Sequence, residues 1–246
     1  METIAKKVLE IVDAGLSKGM GEPIPGKMCV EAAVCAAYGL PHSDSPPCVG
    51  KAVRELKIAL NDRFEGGPSE RAGLLRRLAI AQLGSVEIDQ VEFAIRVTLL
   101  VHKVSAYKNW AGNWLSGQDR SRAAAYSAAY SAHADNAADA AANAAAYVAA
   151  QAAAFAAAQT AYAAAHTAQT ASAAAHTAQT AYAAAHAAVR AANAAGNAAS
   201  AAASAAVYAA VYTAFAAHTL SKFAEDVVQI LVEMKSPGAA YLYLTG

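Results

Sequence analysis

The chain has 246 residues with 19 basic and 19 acidic side chains, seven histidines and three cysteines. Zero net charge excludes a general electrostatic grip on nucleic acid or on an anionic membrane surface. Apolar residues make up 57% but aromatics only 7%, and the excess is alanine, which fills 55 of the 98 positions from Arg122 to Thr219. That stretch holds four formal charges (Arg122, Asp135, Asp139 and Arg190), so an ordinarily charged protein is interrupted by an almost uncharged alanine block.

Reading from the N-terminus, METIAKKVLEIVDAGL carries charges every few residues and does not fit a secretory leader. No Leu/Ile/Val/Phe-dominated run of about 20 residues follows, so no membrane span is expected. The expected location is cytoplasmic or particle-associated. Ile4, Val8, Ile11, Val12 and Leu16 follow the spacing of an amphipathic helix, which Gly19, Gly21, Pro23 and Pro25 end. A second helix is predicted from about Lys27 to Tyr38, stopping at Gly39, and the proline-rich loop LPHSDSPP follows. The third, from about Val49 to Asn61, presents Val53, Leu56, Ile58 and Leu60. A GGPSE turn leads into GLLRRLAIAQL, stopped at Gly84, and Asp89 with Glu92 form a capping-box signature for IDQVEFAIRVTLLVHKV. No alternating, β-branched strand pattern occurs, so the fold class is all-α.

Between Gly117 and Pro237 the chain has one glycine and no proline, and alanine has the highest helix propensity. Unbroken, that length would make a rod of about 175 Å. His133–Asn136 and Asn193–Asn197 are natural break points. The segment SKFAEDVVQILVEMK then presents Phe223, Val227, Ile230, Leu231 and Met234, a conventional apolar face that needs a core. The expected organisation is therefore a helical head over 1–118, an alanine-rich helical hairpin or bundle over 119–219, and a C-terminal helix and tail over 220–246 packing back on the head.

Inside the block lies a ten-residue repeat, TAYAAAHTAQ, TASAAAHTAQ and TAYAAAHAAV, from Thr160 to Val189. It resembles the alanine-rich type I antifreeze proteins of fish, which implies ice binding through a threonine face, here Thr160, Thr167, Thr170, Thr177 and Thr180. A ten-residue period, however, turns about −80° per repeat around a helix, so the threonines wind rather than form one flat stripe. His166, His176 and His186 share that period and lie about 15 Å apart along one helix, too far to share an ion. Tyr147, Phe155 and Tyr162, with Tyr208, Tyr212 and Phe215, are spaced as an aromatic seam closing a thin alanine core.

The densest local chemistry is GKMCVEAAVCAAYGLPHSDSPPCVG. Cys29, Cys35, His42 and Cys48 are ligand types for zinc, although no CxxC pair is present. No other cofactor is expected. Cys29, placed in the first turn of a helix, is alternatively a candidate nucleophile whose thiolate the helix dipole would favour, with Glu31, His42 and Asp44 as base and orienting groups. Against both stands the ordinary buried role of cysteine in an apolar run such as AAVCAAY. An odd number of cysteines, all between Cys29 and Cys48, does not read as a disulfide framework.

The run PGKMCVEAAVCAAYGLPHSDSPPCVGKAVRELKIALND, with GLLRRLAIAQLGS and the ending VVQILVEMKSPG, resembles a group of uncharacterised bacterial and phage-encoded proteins. They share such a head and tail joined through an alanine-rich middle. The resemblance covers most of residues 20–85 and 224–238, and it implies a small helical domain with an extensible insert and no activity. The expectation is thus a non-catalytic structural or assembly protein, self-associating or built into a virion or other large particle. Ice binding and a thiol-dependent hydrolase using Cys29 are the two alternatives.

Overall fold

Apolar positions at helical spacing alternate with glycine and proline breakers throughout the head, and each apolar segment becomes one helix. The computed structural model describes residues 1–101, 105–121 and 220–246, together with positions 123–125, 127, 128, 156, 158, 159, 199, 203, 206 and 210 of the alanine block. In chain order these are α1 (Glu2–Asp13), α2 (Val30–Ala37), α3 (Lys51–Arg63), α4 (Pro68–Ala81), a 3-10 turn (Ser85–Glu87), α5 (Gln90–Val101), α6 (Ser105–Ser116), α7 (Leu220–Glu233) and a terminal 3-10 segment (Pro237–Thr245). The described residues form no strand; Gly21 and Met28 make one isolated antiparallel bridge. The protein is all-α. No described helix is long and apolar enough to cross a membrane.

Two helix starts differ from the expectation. Helix α2 begins at Val30 rather than near Lys27, because Gly26 takes the left-handed conformation and the Gly21–Met28 bridge keeps the chain extended up to Cys29. Helix α4 begins at Pro68, five residues before Gly73. Proline suits a helix's first turn, and the Glu70 carboxylate accepts the Gly67 N–H at 2.8 Å. Half of the expected capping box forms at α5. Asp89 Oδ1 accepts from the Val91 and Glu92 amides, whereas the Glu92 carboxylate turns to Arg96 at 2.9 Å instead of reaching back.

Helix α4 is central. It packs against α1, α7 and the terminal 3-10 segment, while α2 lies on α1 and α3, and α5 on α3 and α7. The apolar face of α7 is buried through Phe223, Val227, Ile230 and Leu231. The chain returns to the end of α4 through specific bonds. Ser236 Oγ donates to Ala81 O at 2.7 Å, Gly238 N donates to Leu83 O at 2.6 Å, and Arg76 bonds both Asp13 and the Thr245 carbonyl.

A second set of bonds closes the other end of α4. The buried Arg71 guanidinium donates to Asn61 O (2.9 Å), Leu16 O (3.1 Å) and Phe64 O (2.8 Å). It thereby satisfies carbonyls left open where α3 ends and where the chain leaves α1. Helix α6 carries a ladder of rings, Tyr107 to Trp110 at 5.2 Å and Trp110 to Trp114 at 5.8 Å. In the alanine block, Ala125 and Ala128, and Ala199, Ala203, Ala206 and Ala210, are helical and buried within the same apolar cluster as the head. The spacing of the last four is that of a single helix face. The expected hairpin or bundle, the ten-residue repeat with its threonines and histidines, and the expected aromatic seam lie outside the described residues.

The tail's docking depends on an absent side chain. A Cβ built on Gly238 would lie 2.0 Å from Ile80 O and 2.8 Å from Leu83 N, both backbone atoms that cannot move aside. Gly238→Ala is therefore expected to destabilise the fold by roughly 2–3 kcal/mol or more. Gly73, inside α4, has nothing within 4 Å of an added Cβ, and Gly73→Ala is expected to stabilise by about 0.5–1 kcal/mol. Urea unfolding of the two variants against the parent checks both signs.

Candidate functional site

The segment that concentrates chemistry in the sequence is built on a folded-back loop. Ser17 N donates to Met28 O (3.0 Å), Glu22 N to Lys27 O (2.7 Å) and Cys29 N to Met20 O (3.1 Å), so residues 17–29 double back as a narrow hairpin-like turn. Gly21 allows this: its φ is +72°, and a Cβ there would meet Lys27 O at 2.0 Å and Ser17 Oγ at 2.3 Å. The turn delivers Cys29 to the N-cap of α2, where Sγ accepts the Ala32 N–H at 3.4 Å. Glu31 follows in the first turn, a position where helix geometry favours a carboxylate.

Glu31 does not face water. It points at α3, where Lys57 Nζ lies 3.3 Å from Glu31 Oε1, and both side chains are 0% exposed. Lys57 occupies the apolar face of α3 between Val53 and Leu60, all three buried. A turn further on, Asn61 Nδ2 donates to Ser17 O at 2.9 Å and Asp62 Oδ1 accepts the Gly19 N–H at 2.8 Å, clamping the loop over the pair. Cys29, Glu31, Asp44, Asn61 and Asp62 line a cavity of about 30 Å³, which is room for about one water molecule. Glu31 Oε2 and Asn61 Oδ1 have no hydrogen-bond partner among the described residues.

Burial dominates the electrostatics. It raises the Glu31 carboxyl to about 7 against the pull of Lys57 and Arg54, and it lowers the Lys57 ammonium despite Glu31. Burial also raises the Cys29 thiol, outweighing its bonds to backbone amides, and pushes Cys35 up to about 11.

These placements correct two expectations. Cys29 caps α2 instead of lying in its first turn, and desolvation overrides the helix dipole, so the thiol form is favoured over the thiolate. The groups expected to serve it are otherwise engaged, with Glu31 on Lys57, His42 Nε2 hydrogen-bonded with Gly21 O at 3.1 Å, and Asp44 accepting from Ser45 Oγ at 3.2 Å. The candidate zinc set Cys29, Cys35, His42 and Cys48 is not assembled. Among the described residues no three His, Cys, Asp or Glu side chains come together as metal ligands. The histidine instead ties the two loops to each other, Cys35 is buried within α2, and Cys48 is half-buried ahead of α3. All three cysteines are free thiols.

Lys57, Asn61 and Asp62 have no place in the sequence reading, yet they complete the centre. One signal was available. Lys57 falls four residues after Val53 and three before Leu60, on the stripe that a helix buries, and Glu31 sits within the apolar run MCVEAAVC. No family model, curated protein or solved structure matches the chain.

Two measurements test this description. Lys57→Met leaves Glu31 buried without its cation, holding its folded-state carboxyl further above the ordinary 4.5 than the present value of about 7. A raised acid stabilises the fold at low pH and loses that contribution as pH rises through the folded value. The variant's stability is thus expected to fall between about pH 5 and about pH 8, with a slope approaching 1.4 kcal/mol per pH unit. Adding Glu31→Gln should flatten that slope in urea midpoints taken across the range. In iodoacetamide labelling of the folded protein, Cys48 is expected to react first and Cys29 and Cys35 at least about tenfold more slowly. Fastest labelling at Cys29 would return it to the role of nucleophile.

Proposed function

We propose that this is a non-catalytic structural or assembly protein, in which a helical head anchors an alanine-rich arm. The observation that carries this reading is the fate of the chemistry-bearing segment. Cys29 is 4% exposed, its thiol is raised by burial, and the cavity beside it, about 30 Å³, has room for about one water molecule and not for a substrate. The residues that looked reactive are spent on packing loops 17–29 and 39–50 against α3.

Contact-making surface lies elsewhere. A groove of about 680 Å³ runs between α5, α6 and α7, with Leu99, Leu115, Phe223 and Ile230 along it. Its rim charges are already paired within the head, Arg96 with Glu233 at 3.0 Å and Lys222 with Asp226 at 2.6 Å. Such a surface offers apolar contact area without attracting a particular sign of charge.

The arm supports the same reading. Ala199, Ala203, Ala206 and Ala210 are buried through one helix face, and alanine on such a face lets helices approach closely. An uncharged alanine block has little to keep copies apart. The partner proposed is therefore a second copy of this chain, or neighbouring subunits of a virion or other particle, with a cytoplasmic or particle-associated setting.

Light scattering coupled to size exclusion, on the full chain over a wide concentration range, checks the proposal. A discrete oligomer is the expected result. A strictly monomeric species at high concentration that copurifies with nothing would remove it.

A further inference from the structure

Among the ion pairs of the described residues, Glu31–Lys57 is the pair with both side chains fully buried, and it joins two different helices across 3.3 Å. Neither Glu31 oxygen nor Lys57 Nζ makes a hydrogen bond of good geometry with a described group. A buried zwitterion loses the hydration of two charges. The neutral pair, carboxylic acid beside amine, has the same total charge and avoids that loss. Burial acts in this direction on both partners, raising the acid and lowering the ammonium. Lys57 Nζ lies 3.3 Å from an oxygen bonded directly to Glu31 Cδ, so amine and acid are held side by side as the two reactants of an amide condensation.

We propose that Lys57 and Glu31 are joined by an isopeptide bond that forms spontaneously inside the folded head. The neutral Lys57 Nζ adds its lone pair to Glu31 Cδ, making the new C–N bond while the carbonyl π pair moves to oxygen. That pair then re-forms the carbonyl, the C–OH bond breaks, and the hydroxyl departs with a proton lost from nitrogen. One water is released and nothing is oxidised or reduced. The proton passes from nitrogen to the departing hydroxyl of Glu31 itself, and Asp44 and Asp62 are the other carboxylates lining the cavity beside Glu31. The cavity of about 30 Å³ has room for the water produced.

The bond links α2 to α3 and closes a covalent loop over residues 31–57, which carries the proline-rich connection between those helices. Such a loop restricts the unfolded chain much as a disulfide does, but without depending on redox conditions. The inference stands on the geometry of the pair and does not depend on the assembly reading.

Intact-mass measurement of the purified full chain, incubated folded and then denatured, is the test. The expected mass is lower than the sequence mass by one water. A tryptic map should contain a branched species joining the peptide 28–51 to the peptide 55–63, with cleavage after Lys57 blocked. Lys57→Met is expected to keep its full sequence mass. Glu31→Gln is expected to lose one ammonia instead, since the same attack on an amide expels ammonia. Full sequence mass in folded, aged wild-type protein, with the peptide ending at Lys57 recovered free, overturns the proposal. So does a lost water that maps to any other residue pair.

Discussion

Arg71 sets the frame in which the rest of the head is arranged. Its guanidinium holds three backbone carbonyls at once, from Leu16, Asn61 and Phe64. A planar, permanently charged fork can satisfy several acceptors in fixed directions, which a lysine ammonium does less well. Those carbonyls belong to the end of α3 and to the chain leaving α1. Where α3 ends decides where Asn61 and Asp62 stand, and these two residues hold the loop at Ser17 and Gly19. That loop in turn delivers Cys29 to the cap of α2 and Glu31 to Lys57. One buried side chain on α4 thus bears indirectly on the geometry of the whole centre.

The centre illustrates how burial reverses the reading of a reactive motif. A thiol ahead of a helix, beside acids and a histidine, has the composition of a nucleophilic site. In the fold, each member finds a structural partner, and desolvation raises the thiol that the helix dipole would otherwise lower. What is left is a buried acid–lysine pair, Glu31 with Lys57.

Much of the head was legible in its residues. The apolar spacing of α1, α3, α5 and α7 placed each helix to within a few residues, because helical periodicity and glycine or proline stops are local signals. The start of α2 was misplaced because the extended entry to Cys29 depends on a bridge between Gly21 and Met28, seven residues apart. The start of α4 was misplaced because Pro68 in a first turn reads equally as loop. Within the site, Cys29 and Glu31 stood out as chemistry-bearing types. Lys57 did not, because a lysine between Arg54 and Asn61 passes for a solvated position until α2 is laid against it.

Sequence alone determined the helical class, the uncharged alanine insert and the need of the C-terminal apolar face for a core, since these follow from composition and from spacing along one chain. Tertiary structure alone decided that Glu31 meets Lys57, that Arg71 closes the ends of two other segments, and that the tail docks at Ile80 and Leu83 through Gly238. The reason is physical. Helix propensity and amphipathicity act over a few residues, whereas burial of a charge and its pairing are properties of surfaces brought together by elements distant in the chain.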